Sequence, residues 1–258
     1  MSDKVFDLTG RTALVVGAGG DLGRRSAHVL GESGARVVLA DHGGALDLLE
    51  RTREELSDEG IACEAVVCDV TDEVSVEAAV ARAAAPAPLS ILVYAAGVML
   101  RRGVVETSLE EWRQTLEVNL TGTWLVNRAA VRSMGPVGQG KIVNFASVYA
   151  DRVGPIPECA YYASKAGVAN VTRSIASEFG TRGVHANCLA LGVFYPTGMT
   201  ASLGDSPETL RWFTERTMLG RLGDPGRDLD GPLLFLASSA SDYVTGQVLY
   251  VDGGWSAW

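Results

Sequence analysis

Short runs of β-branched and apolar residues alternate along the chain with segments whose apolar positions recur at helical spacing. That alternation predicts a parallel sheet covered by helices on both faces. Strands are expected near 12–16, 36–40, 62–68, 90–94, 141–145, 185–189 and 247–251. Helices fill the gaps, at roughly 22–33, 46–58, 73–85, 109–133, 161–180, 207–217 and 227–237. In the fifth helix, Val168, Val171, Ile175 and Phe179 fall on one stripe, so packing of that stripe places the 161–165 end. The stretch 192–218 has weak periodicity and mixed Gly, Pro and aromatic content, and reads as a loop with a short helix or two.

Composition narrows this to one unit. A hydrophobic fraction of 47% over 258 residues supports a sizeable core, and no linker, charge block or internal repeat divides the chain. The expectation is a single α/β domain over 1–258, doubly wound around seven parallel strands. Interspersed charges summing to −9 argue against a nucleic-acid partner. Residues 1–10 carry three charges and no apolar core, unlike a signal peptide, and the apolar stretch 89–100 is too short to span a bilayer. Cys63, Cys68, Cys159 and Cys188 form no Cys-x-x-Cys pair and have no neighbouring histidines, so no metal site or disulfide framework is expected. A reducing cytoplasm fits these features.

The first strand runs into Gly17-Ala18-Gly19-Gly20-Asp21-Leu22-Gly23, after which a helix begins. Such a turn lets backbone N–H groups approach a pyrophosphate at the positive end of the helix dipole. Asp41 closes the second strand, where a carboxylate accepts ribose hydroxyls and repels a 2′-phosphate. NAD is therefore expected ahead of NADP. Asp41 would also suit a turn beside Gly43 and Gly44, and Arg24 and Arg25 are cations that could hold a 2′-phosphate. Asp69, before Val70, suits either the adenine amino group or the start of the next helix.

Tyr161 and Lys165 stand four residues apart on the fifth helix, on one face. A neighbouring ammonium favours a phenolate, so Lys165 is expected to lower the Tyr161 pKa toward the range useful for proton exchange with an alcohol or ketone. Tyr162 has Ala166 at the equivalent position and lacks such a partner.

With these residues assembled, the chain resembles the short-chain dehydrogenase/reductase family over essentially its whole length. The family's Thr-Gly-x-x-x-Gly-x-Gly turn maps onto Val16 to Gly23, its asparagine onto Asn119 in Glu117-Val118-Asn119-Leu120-Thr121-Gly122, and its serine onto Ser147. Tyr161 and Lys165 complete the tetrad, and Tyr243-Val244-Thr245-Gly246 and Val251-Asp252-Gly253-Gly254 also match. The resemblance implies that Tyr161 is general acid/base, Ser147 stabilises charge on the substrate oxygen, Lys165 holds the nicotinamide ribose, and Asn119 anchors a proton-relaying water. It also implies cofactor contacts from Gly17, Gly20, Asp21, Leu22, Gly23, Asp41, Asp69, Val70, Ala96, Gly97, Tyr161, Lys165, Gly192 and Thr197, together with a homotetramer packed through the helices bearing Asn119 and Tyr161.

Three departures stand out. Asp21 replaces the middle glycine and is expected to point outward; Tyr94-Ala95-Ala96-Gly97 replaces Asn-Asn-Ala-Gly; and Leu191-Gly192 replaces Pro-Gly. Candidate substrate contacts are Tyr149, Arg152, Glu158, Cys159, Phe194, Tyr195 and Trp258. The ending Val251 to Trp258 is similar to that of polyol and sugar dehydrogenases in the family, so the expected reaction interconverts a polyol, sugar or related secondary alcohol and its ketone. A 3-oxoacyl carrier-protein reductase and a cofactor-binding scaffold without turnover are the alternatives.

Overall fold

Alternate residues of the first strand go to opposite layers, and this decides the architecture. In a computed structural model describing residues 5–257, Leu14 and Val16 of β1 (Thr12–Val16) join one buried cluster, whereas Ala13 and Val15 join another. The neighbouring strands β2 (Arg36–Asp41), β4 (Leu89–Tyr94) and β5 (Gly140–Phe145) divide in the same way. Both faces are therefore apolar, as a fully covered parallel sheet requires.

With β3 (Cys63–Val67), β6 (Val184–Leu191) and β7 (Val248–Val251), the sheet has seven parallel strands in the order β3-β2-β1-β4-β5-β6-β7. Helices α1 (Asp21–Glu32), α2 (Leu46–Asp58) and α8 (Asp230–Ala237) pack on one face through Leu30, Leu49 and Leu233. The other face takes α3 (Glu73–Ala84), α5 (Gly122–Met134) and α6 (Cys159–Phe179) through Val80, Val126 and Ile175. The chain winds outward from β1 to β3, then returns across β1 to β4. A crevice opens at that reversal, beyond the carboxyl ends of the strands.

The expected helix over 109–133 is interrupted. It comprises α4 (Leu109–Leu116), a π-helical turn over Glu117–Thr121, and α5. Helical periodicity cannot reveal one extra residue per turn, and such bulges recur at functional sites. The last helix starts at Asp230 rather than 227, because Asp228 accepts the Asp224 N–H at 2.8 Å and pairs with Arg221, holding the preceding residues in a turn. Between 192 and 218 lie a 3₁₀ turn, Ala201–Asp205, and α7 (Pro207–Arg216). Among the described residues no helix is long and apolar enough to cross a membrane.

Candidate active site

The glycine turn forms because β1 and the backbone after β4 approach too closely for side chains. Gly17 has φ +88°, and a Cβ there would overlap the Ala96 backbone; a Cβ on Gly23 would overlap the Gly17 carbonyl. The turn opens onto two cavities. One, of about 1100 Å³, is lined by Gly17, Gly20, Asp41, Asp69, Val70, Ala96 and Gly97. The other, of about 740 Å³, is lined by Gly17, Gly20, Asp21, Leu22, Gly23, Gly97, Ser147, Tyr149, Tyr161, Lys165, Gly192, Phe194 and Thr197.

Acidic groups at the first cavity are partly engaged. Asp41 accepts the Gly19 N–H at 2.9 Å through one oxygen and the His42 N–H at 2.8 Å through the other. A carboxylate offers about four acceptor positions, so capacity remains for hydroxyl donors. Asp69 accepts from both the amide and hydroxyl of Thr71, at 2.9 and 2.7 Å, and the hydroxyl bond above all holds its carboxyl below the ordinary value. The cap of α3 is instead Asp72, which accepts from the Val74 N–H. Arg24 and Arg25 pair with Glu55 and Asp230.

In the second cavity, Ser147 follows β5 and its Oγ accepts the Tyr149 N–H at 3.2 Å. Tyr161, Lys165, Val168, Thr172 and Ile175 form the buried stripe of α6. The Lys165 ammonium donates to the Phe145 carbonyl at 2.7 Å and lies 5.5 Å from the centre of the Tyr161 ring. Burial pushes Lys165 down to about 8. The expected lowering of Tyr161 is not what the structure shows. Burial, and then the charge of Glu158, hold the phenol above its ordinary value, and the Ser147 hydrogen bond opposes them without prevailing. The lysine is spent on a carbonyl, so desolvation wins.

Asn119 lies behind the cavities, fully buried in the π-helical turn. Its Oδ1 accepts the Val98 N–H at 2.8 Å, and its Nδ2 donates to the Val98 carbonyl at 2.9 Å and to Ser164 Oγ at 3.0 Å. Tyr94 supplies a brace where the family has amides: its hydroxyl donates to the Val118 carbonyl, one residue before Asn119, at 2.7 Å. Tyr94→Phe should leave that carbonyl without its donor and cost about 1–3 kcal/mol, several degrees in Tm. An unchanged thermal scan would remove the brace from this account.

The candidate substrate contacts separate. Tyr149 and Phe194 line the second cavity, whereas Tyr195, Glu158, Arg152 and Cys159 do not. The Tyr195 N–H bonds the Gly223 carbonyl, and exposed Arg152 pairs with Asp151. Glu158 is buried beside Arg101, which itself lines the cavity, and burial holds its carboxyl above the ordinary value. Trp258 lies outside the described residues. Trp255 packs edge-on against Tyr149 with ring centres 5.8 Å apart. Sequence reasoning also missed a support beneath the site, where Asn127 and Asn144 exchange amide hydrogen bonds at 2.9 and 3.0 Å and Asn144 reaches Thr172. An asparagine inside the apolar run of β5 was the available signal.

A glycine turn opening onto cavities at the switch point of a parallel sheet defines a dinucleotide-binding fold. The chain belongs to the short-chain dehydrogenase/reductase family, whose members are NAD(P)-dependent oxidoreductases acting on CH–OH groups. Residues 17–256 match the family described as enoyl-(acyl carrier protein) reductase. The chain is 41% identical over 256 residues to a galactitol 2-dehydrogenase (L-tagatose-forming) from Cereibacter sphaeroides, covering 98% of each chain. It is 37% identical to a gluconate 5-dehydrogenase from Gluconobacter oxydans, covering 97% of this chain and 96% of that one. A solved gluconate 5-dehydrogenase from Burkholderia cenocepacia, in complex with NADP and tartrate, superposes with TM-score 0.92 at 35% identity, covering 100% of both chains.

Proposed function

We propose that this protein interconverts a secondary alcohol of a polyol, sugar or sugar acid and the corresponding ketone, with NAD preferred. The observation carrying this is the convergence of Ser147, Tyr161 and Lys165 on the cavity that the glycine turn also lines. The residues fit a dinucleotide, because the turn is pared back to glycine where side chains would fill it, and acceptor capacity remains on Asp41. Bound there, the dinucleotide would supply the hydride.

In this reading the turn amides of Gly20, Leu22 and Gly23 face the diphosphate, with Gly17, Ala96 and Gly97 giving close backbone approach. Asp41 takes the ribose hydroxyls, Asp69 and Val70 border the adenine, and Gly192 and Thr197 border the nicotinamide. Tyr161, protonated because it is buried, gives its proton to the ketone oxygen while Ser147 holds that oxygen. Lys165 would hold the nicotinamide ribose and, below about pH 8 where it is charged, keep its ammonium beside the phenol. Asn119 fixes the π-helical turn whose backbone would meet a relaying water. Tyr149 and Phe194 shape the substrate end of the cavity. The names of the galactitol and gluconate dehydrogenases support the substrate class. A homotetramer packed through α4, α5 and α6 would cover Trp112 and Trp124, both more than a third exposed here. The four free cysteines suit a reducing compartment such as the cytoplasm.

The test is a scan of polyols, sugars and aldonates with NAD and NADP, following cofactor absorbance. Turnover of neutral or acidic polyhydroxy compounds is expected, and activity confined to acyl thioesters would overturn the substrate class. Asp41→Ala should narrow the NAD preference by about tenfold, the size of one hydrogen bond to a charged group. Catalytic efficiencies favouring NADP in the unmodified protein would reject the role given to Asp41.

A further inference from the structure

Asp21 puts a carboxylate where the family has glycine, and in the structure that carboxylate does not simply face solvent. Its Oδ2 accepts the Gly198 N–H at 2.7 Å, joining residues 177 positions apart. Gly198 follows Thr197 in the segment after β6, and both line the cavity that Asp21, Gly20 and Leu22 line. The segment is stitched to itself by Thr200, whose Oγ1 accepts the Thr197 N–H at 3.1 Å and donates to the Phe194 carbonyl at 2.7 Å. On its other side, Arg101 donates to the Met199 carbonyl and to Ser202 Oγ. Asp21 thus ties an internally braced segment to the glycine turn.

We infer that Asp21 is a positioning residue, whose carboxylate latches the 197–200 segment to the glycine turn and so presets Thr197 over the cofactor cavity. The inference rests on reading that cavity as the dinucleotide site. A glycine at 21 has no side-chain acceptor, so this bond between the segment and the turn would be lost. Here the link is built into the chain. The same carboxylate has a second effect: it suits the start of α1, but its charge opposes a diphosphate on the amides of that turn. Asparagine separates the two effects, because it keeps an acceptor oxygen and removes the charge.

The test compares the unmodified protein with Asp21→Asn and Asp21→Gly by amide hydrogen exchange without cofactor, and by fluorescence titration with NAD. Losing a charge-assisted bond should speed exchange at Gly198 about tenfold in Asp21→Gly, whereas Asp21→Asn should retain most of the protection. Asp21→Asn should bind NAD more tightly than the unmodified protein. Asp21→Gly should raise the substrate KM more than it lowers kcat, because Thr197 is no longer preset. Equal exchange at Gly198 in the unmodified protein and Asp21→Gly, or equally fast exchange in both variants, overturns the latch. So does a loss of protection confined to α1, which would make Asp21 a helix-dipole residue. If exchange follows the expected order while no variant binds a dinucleotide, the latch stands and the cofactor reading fails.

Discussion

Tyr161→Phe should lower kcat by about 10²–10⁴-fold, the usual contribution of a positioned proton donor, while leaving NAD affinity unchanged. In the proposed reaction the phenol moves the proton, and the proposed cofactor contacts come mainly from the glycine turn and Asp41. Burial and the Glu158 charge raise the phenol above its ordinary value, so the neutral form dominates at physiological pH. That form suits ketone reduction. Alcohol oxidation needs the ionised form, so oxidative turnover should climb with pH and reductive turnover should fall at high pH, and Phe at 161 should abolish both trends. Tyr162→Phe is the matched control. The Tyr162 hydroxyl accepts the Gly154 N–H at 3.2 Å and donates to the Ile156 carbonyl, pinning a loop instead of lining either cavity. It should retain most turnover. Equal losses in the two variants would detach the acid/base role from Tyr161.

What could be read from the chain followed from local periodicity and spacing. Near-continuous apolar runs such as 12–16 and 36–40 mark strands buried on both faces, and the resulting sheet order puts the glycine turn at the crevice. The spacing of Tyr161 and Lys165 places them on one stripe because α6 is regular through both. What escaped depends on contacts between distant segments. The bond between Asp21 and Gly198 and the brace from Tyr94 to Val118 have no local signature, so both residues read as departures. The Tyr161 pKa was misjudged for a related reason. Spacing reports that a lysine is near, but the sign of the shift depends on how much water is excluded and on whether a carbonyl engages the ammonium first. The edge-on contact of Trp255 with Tyr149 likewise has no local signature in the sequence.

Lys165→Met should separate stability from function more sharply than any other change. Burial lowers the Lys165 pKa from 10.5 to about 8, so between those values the unfolded chain holds a proton that the folded chain has released. Stability contributed at this position therefore rises with pH across that window. Below about 8 both states are protonated and the burial penalty is present in full; above 10.5 both are neutral and it is absent. At about 1.4 kcal/mol per pKa unit, the penalty is of the order of 3 kcal/mol. Methionine has no proton to hold, so the stability gap between variant and parent should shift toward the parent by about that amount as pH rises through the window. Turnover of the variant should nevertheless fall by about 10²-fold or more below about pH 8, where the parent carries the ammonium and the variant leaves no cation beside Tyr161. Denaturant midpoints measured for both proteins along this pH series read the first effect, and kcat at each pH reads the second. A gap that stays flat would mean the Phe145 carbonyl fully offsets the loss of water around the ammonium. In that case Lys165 would be an ordinary cation held at its usual pKa, and its influence on Tyr161 would be stronger than burial now permits.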